Sequence, residues 1–167
     1  MKGSRWMSFK NKYFEIAEDA EGDEIIACSD EVLMIPLTSD GQVIFIREPA
    51  PAFGRERLLL LPSGTVETGE DLAATAIREL REEIGYRADH LDFLIEIRPW
   101  SKYLAVTSHV FVAQGLQPGK LEGDESYAIK LDPHPLAELD SLIQTGELRD
   151  ARAIAALLVA RQRLGNG

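Results

Sequence analysis

Residues 78–85 read Arg-Glu-Leu-Arg-Glu-Glu-Ile-Gly, and three acids packed so closely invite a chemical explanation. Leu72, Ala73, Ala76, Ile77, Leu80 and Ile84 recur at helical spacing, and Gly85 stands where a helix stops. At about 100° per residue, with Leu80 at the centre of the apolar face, Glu83, Glu79 and Glu82 fall at roughly −60°, −100° and −160°. They form a stripe along one edge of the buried face. Like charges one turn apart cost an isolated helix a few tenths of a kcal/mol per pair. Solvent, the neighbouring Arg78 and Arg81, or a hard divalent cation can offset that repulsion, and clustered carboxylate oxygens are the natural ligands of such a cation.

The composition frames this cluster. Among 167 residues, 18 Lys and Arg stand against 28 Asp and Glu, a formal net charge of −10, and 45% of residues are hydrophobic. That length predicts one domain with its own core. The acidity argues against generic nucleic-acid binding, while phosphates can still approach where cations invert the local field. Cys28 is the only cysteine, so no intramolecular disulfide forms. No apolar run has signal-peptide or membrane-spanning length, and we expect a cytoplasmic protein with no membrane partner.

The elements that must position the acids follow from patterning. Val32–Leu37 reads as a buried strand, Ser39-Asp40-Gly41 as a turn and Gln42–Arg47 as its return, since Asp-Gly between apolar runs signals a hairpin. Leu58–Leu61 is a short strand ended by Pro62, and Ser63-Gly64 opens a polar loop before the helix. Strands are expected over Leu91–Ile97 and Ala105–Ala113, with helices over Pro135–Thr145 and Arg149–Leu164 closing the chain. The first thirty residues, anchored by Trp6, Phe9, Tyr13, Phe14 and Ile16, offer a short strand or two. The predicted class is α/β, a mixed sheet sandwiched between helices. Residues 1–30 form a short N-terminal segment and 31–167 the main domain.

What precedes the acidic helix is as informative as the helix. Gly64 is followed after five residues by Glu70, after seven more by Arg78-Glu79-Leu80, then by Glu82-Glu83 and Gly85-Tyr86. At residue frequencies of roughly 0.07, these fixed identities coincide by chance about once in 10⁸ start sites. The pattern resembles the Nudix box, with Tyr86 in place of the usual aliphatic residue. Phe93-Leu94, Val112-Ala113-Gln114, Leu121-Glu122-Gly123-Asp124-Glu125, Ala151-Arg152 and Ala155-Ala156-Leu157 are similar to the ADP-sugar and ADP-compounds hydrolase branch, over about Val32 to Leu164.

That resemblance implies a Nudix fold and Mg²⁺-dependent hydrolysis, with Mn²⁺ as a substitute, of the diphosphate of a nucleoside diphosphate linked to X. ADP-ribose, diadenosine diphosphate and NADH are the expected substrates, and a nucleoside monophosphate is released. The alternatives are a non-catalytic nucleotide-binding module of the same fold or a hydrolase of another nucleotide. Glu79, Glu82 and Glu83 are implied as metal ligands, joined by the Ser63 carbonyl, which Gly64 would turn toward the ion by accepting positive φ. Arg78 would orient Glu79 and tie the helix to Glu70. A base outside the box is implied in the acidic stretch, Glu125 first and Glu122 second. Arg47, Arg55 or Arg57 could meet phosphate, and Trp100 or Tyr103 could stack on a base or simply pack. Leu58 stands where many relatives carry a base-contacting glutamate. The likeness also implies a homodimer paired through N-terminal strands. His90, His109 and His134 show no ligand spacing, and His109 reads as structural.

Overall fold

The structure is a computed structural model and describes residues 14–54, 56–121 and 128–165; Arg55, Glu122 and Glu125 lie outside them. Among the described residues the strands form three sheets. β1 (Phe14–Glu18) and β2 (Glu24–Cys28) form an antiparallel hairpin. Asp19 shapes its turn by accepting the Glu21 and Asp23 N–H groups at 3.0 and 2.8 Å. β8 (Leu104–Ala105) adds to β2 in parallel, so the N-terminal segment is completed by a strand from the middle of the chain.

The central sheet is mixed. β3 (Glu31–Pro36) lies between β6 (Ser63–Thr65), antiparallel, and β9 (Ser108–Pro118), parallel, and β7 (Tyr86–Ile97) pairs antiparallel with β9. The third sheet has the order β10 (Lys130–Pro135), β4 (Gln42–Ala50), β5 (Glu56–Leu60). Successive residues of β3 feed opposite layers, as strand geometry requires. Leu33 and Ile35 join a core with Phe45, Leu94 and Val110, closed by α2 (Leu139–Gln144) and α3 (Ala151–Leu164). Val32 and Met34 join a second core with Ile44, Ile46 and Phe111, covered by Ala76 and Leu80. Helices on both faces of a mixed sheet match the class expected from the sequence.

Three expectations need correction. The Asp40-Gly41 turn forms, with Gly41 at φ 82°, but the hairpin parts after the single bridge Leu37–Val43. β3 continues along β9, where Leu37 donates its N–H to Ala113 at 2.8 Å, while β4 pairs with β5 and β10. Both runs are buried on both faces, and two sheets supply the cover that one hairpin cannot. Ser63-Gly64 belongs to an edge strand rather than a loop. The helix expected from Pro135 starts only at Leu139, and Pro135 instead ends the strand β10, whose two prolines are tolerated at the open edge of the third sheet.

Candidate active site

The acidic helix starts sharply. Asp71 caps α1 (Leu72–Glu79) by accepting the N–H groups of Ala73 and Ala74 at 3.1 and 3.0 Å, two of the donors a helix start leaves unpaired. After Glu79 the helix widens into a π turn over Leu80–Ile84, closed by Gly85 at φ 76°, whose N–H reaches the Leu80 carbonyl. The angles drawn from an uninterrupted α-helix therefore hold as far as Glu79 and fail for Glu82 and Glu83, which sit in the wider turn. Single π turns of this kind occur often at functional sites.

One guanidinium organises the acids. Arg78 Nη1 donates to Glu79 Oε1 at 2.7 Å and to Glu82 Oε2 at 3.2 Å, while Nε and Nη2 reach the two oxygens of Glu70 at 3.2 and 3.3 Å. Hydrogen bonds from Arg78 hold the Glu70 carboxyl down to about 2, and the same contact with Glu70 raises the pKa of Arg78. Glu70 also accepts the Glu67 N–H at 3.3 Å, which closes the loop in front of α1. Glu83 is fixed separately, its Oε2 accepting the Ser63 N–H at 2.9 Å.

Gly64 has a different role from the one its type suggested. It is absent from the described glycines of positive φ; a Cβ built on it would lie 2.0 Å from Glu79 Cδ and 2.1 Å from Glu79 Oε1. A carboxylate, not the backbone conformation, takes up the space beside this glycine. The register Val32–Gly64 in the β3–β6 pair puts that approach over the central sheet.

The fit of this arrangement to a divalent cation rests on donor chemistry. Carboxylates of Glu79, Glu82 and Glu83, half-buried and gathered by Arg78 and the Ser63 N–H, are the hard oxygen donors such an ion takes. In the present side-chain positions, no three acid, histidine or cysteine groups among the described residues converge on one point at ligating distance.

The other candidates among the described residues have partners of their own. Arg47 on β4 is bound by Asp132 of β10 and by Glu147, so two carboxylates already hold it. Arg57 donates to the carbonyls of Arg47 and Ala128 at 3.1 and 3.2 Å. Tyr103 packs edge-on against Trp100, ring centroids 5.1 Å apart, with Lys102 Nζ 5.1 Å from its ring centre. Its carbonyl accepts the Ile26 N–H at 2.8 Å, which attaches this loop to the N-terminal sheet. The candidates Arg55, Glu122 and Glu125 are outside the described residues.

Two arrangements were invisible in the sequence. His109 is buried between Asp30, 3.4 Å from Nε2, and Glu96, 3.6 Å from Nδ1. Arg152 at the start of α3 makes paired 2.6 Å bonds to both oxygens of Glu31, which also receives the Ser108 hydroxyl. The first depends on a contact across 79 positions of the chain and the second on contacts across 121 and 77, and local pattern carries no signal for that.

A family model described as the NUDIX domain matches residues 29–157. The chain belongs to the Nudix family. As a Nudix hydrolase it is 34% identical to the ADP compounds hydrolase NudE of Escherichia coli (strain K12), over 81% of this chain and 72% of that protein. It is 28% identical to the ADP-ribose pyrophosphatase of Bacillus subtilis (strain 168), over 80% of this chain and 73% of that one. A solved structure titled as an ADP compounds hydrolase superposes with a TM-score of 0.80 at 27% identity, covering 96% of this chain and 91% of the other. The Nudix fold is thus shared across nearly the whole chain. Among the described residues no helix is long and apolar enough to cross a membrane.

Proposed function

We propose that this Nudix hydrolase cleaves the diphosphate of an ADP-X compound, with ADP-ribose, diadenosine diphosphate and NADH as the first candidates, and releases AMP in the cytoplasm. The observation that carries the reading is the Arg78-centred set of Glu70, Glu79 and Glu82, with Glu83 tied to Ser63 and Glu79 seated over Gly64. The names of the relatives support the choice of substrate class.

Glu79, Glu82 and Glu83, with the Ser63 carbonyl, would hold Mg²⁺, or Mn²⁺ in its place. When bound, the cation supplies charge neutralisation on the phosphate oxygens and the leaving group. The protein's part is positioning. Arg78 orients the Glu79 and Glu82 carboxylates through its hydrogen bonds to both; Glu70 keeps Arg78 in place, and its depressed pKa leaves that support charged at neutral pH. Glu125, or Glu122 as second choice, takes the proton from the attacking water. Arg47, Arg55 and Tyr103 contact substrate in this reading, Arg47 by exchanging one of its two carboxylate partners for phosphate. Residues 31–167 form the hydrolase domain. The N-terminal segment pairs two subunits, consistent with half-exposed Phe14 and Ile16 on β1.

The test incubates the full chain with ADP-ribose, diadenosine diphosphate, NADH and nucleoside triphosphates, with Mg²⁺, Mn²⁺ or EDTA, and separates the products by chromatography. Metal-dependent AMP release from the ADP conjugates is expected. Turnover of triphosphates alone would overturn the substrate class, and no metal-dependent turnover would overturn the mechanism. Sedimentation gives the subunit count, with a dimer expected.

A further inference from the structure

The π turn frees a carbonyl that a regular helix would use. In an α-helix the Gly85 N–H bonds the Arg81 carbonyl, four residues back; here it bonds Leu80, five back. The Arg81 carbonyl is taken instead by the Leu121 N–H at 3.0 Å. The Arg81 side chain points the same way, Nε donating to the Gly119 carbonyl at 2.9 Å. The Gly119 N–H in turn donates to the Gly85 carbonyl at 2.9 Å. Three hydrogen bonds thus clamp residues 119–121, just past the end of β9, onto the turn that carries Glu82 and Glu83.

The last of these bonds simply prolongs the β7–β9 ladder beyond the pair Tyr86–Pro118. The other two do not belong to any ladder. They occupy Arg81 from both its main chain and its side chain, and the main-chain bond fills the acceptor that the α register would need. Gly85 is called for by its φ of 76° and not by crowding, since a Cβ there would meet Lys120 Cβ only at an ordinary contact distance of 3.7 Å.

We infer that Arg81 is a positioning residue: with Gly119 and Leu121 it locks the helix in the π register and so sets where Glu82 and Glu83 present their carboxylates. The inference rests on those carboxylates being the metal ligands proposed above. Groups that orient ligands without touching the ion change metal affinity by about 10- to 100-fold when removed, and Arg81 acts one covalent step from Glu82.

The test measures Mn²⁺ binding to the full chain by electron paramagnetic resonance titration, alongside kcat and KM on ADP-ribose and the thermal transition. Arg81→Ala is expected to weaken Mn²⁺ binding and lower kcat, each about 10-fold, with KM changed less than about twofold. Arg81→Lys keeps a donor for the Gly119 carbonyl and is expected to recover most of the binding. If Arg81→Ala shows no cooperative transition, Arg81→Met, which keeps the aliphatic stem and removes the donor, decides on the same criteria. Wild-type Mn²⁺ affinity in the folded donor-less variant overturns the inference and leaves the proposed function standing, as does Arg81→Lys behaving like Arg81→Ala. A wild-type chain that binds no Mn²⁺ overturns both.

Discussion

The carboxylate of Glu79 fills the space that a side chain on residue 64 would need: a Cβ on Gly64 would stand 2.0 Å from Glu79 Cδ and 2.3 Å from its Cγ. The alanine variant must displace one or the other. Gly64→Ala should destabilise the protein only modestly, by about 0.5–1 kcal/mol, because the displaced atoms are the end of a flexible side chain rather than backbone. It should also lower kcat at least about tenfold, since the displaced group is a proposed ligand. Urea denaturation and steady-state rates check this. Wild-type values for both would mean that Glu79 is free to sit elsewhere.

Glu83→Gln removes a charge and leaves the side chain's shape, and the Ser63 N–H retains an oxygen acceptor. The fold should therefore be intact while kcat drops at least about 100-fold, as expected for loss of a metal ligand rather than of a core contact. Single-turnover rates with Mg²⁺ decide. An unchanged rate would move the metal site away from the helix.

The Glu70–Arg78 pair should reveal itself through pH. The folded-state pKa of Glu70 is depressed from an ordinary 4.5 to about 2. Its contribution to stability is thus fully present above pH 4.5 and is lost as pH falls through about 2. The difference in denaturant midpoint between wild type and Glu70→Gln should be constant near neutrality, shrink below pH 4.5 and vanish toward pH 2. A difference that is flat across that window would show that the pair contributes through shape and not through charge.

Arg152 offers a test of the scaffold. Burial works against its charge, but Glu31 and Asp150 outweigh that penalty and raise its pKa. Removing the cation leaves Glu31 and Asp150 without their shared partner, so Arg152→Met should cost about 3 kcal/mol, the low end for breaking a largely buried pair. Chemical denaturation measures it. A loss below about 1 kcal/mol would place the pair among solvent-screened contacts.

The site was legible where identity and spacing alone carry chemistry. Gly64, Glu70, Arg78, Glu79, Glu82 and Glu83 stand at fixed intervals, and in the structure Arg78 does bind Glu70 and Glu79. The helix start at Asp71 and its stop at Gly85 follow from capping chemistry, which is local. Less legible was anything settled by cover from distant parts of the chain. The Asp40-Gly41 turn predicted a hairpin, yet the turn specifies only the reversal, and burial on both faces sends its strands into different sheets. β10 carries two prolines that argue against a strand everywhere except at an edge, and edge position is a property of the assembled sheet.

The sequence by itself determined which residues are proposed to hold a cation, because residue type and spacing along the chain are local quantities. Tertiary structure decided how they are held. Glu79 lies across Gly64, residues 119–121 claim the Arg81 carbonyl beside the π turn, and Glu31 pairs with Arg152 where β3 and α3 meet, 121 residues apart. Each depends on which distant atom reaches a given position, and that is fixed only once the two cores are packed.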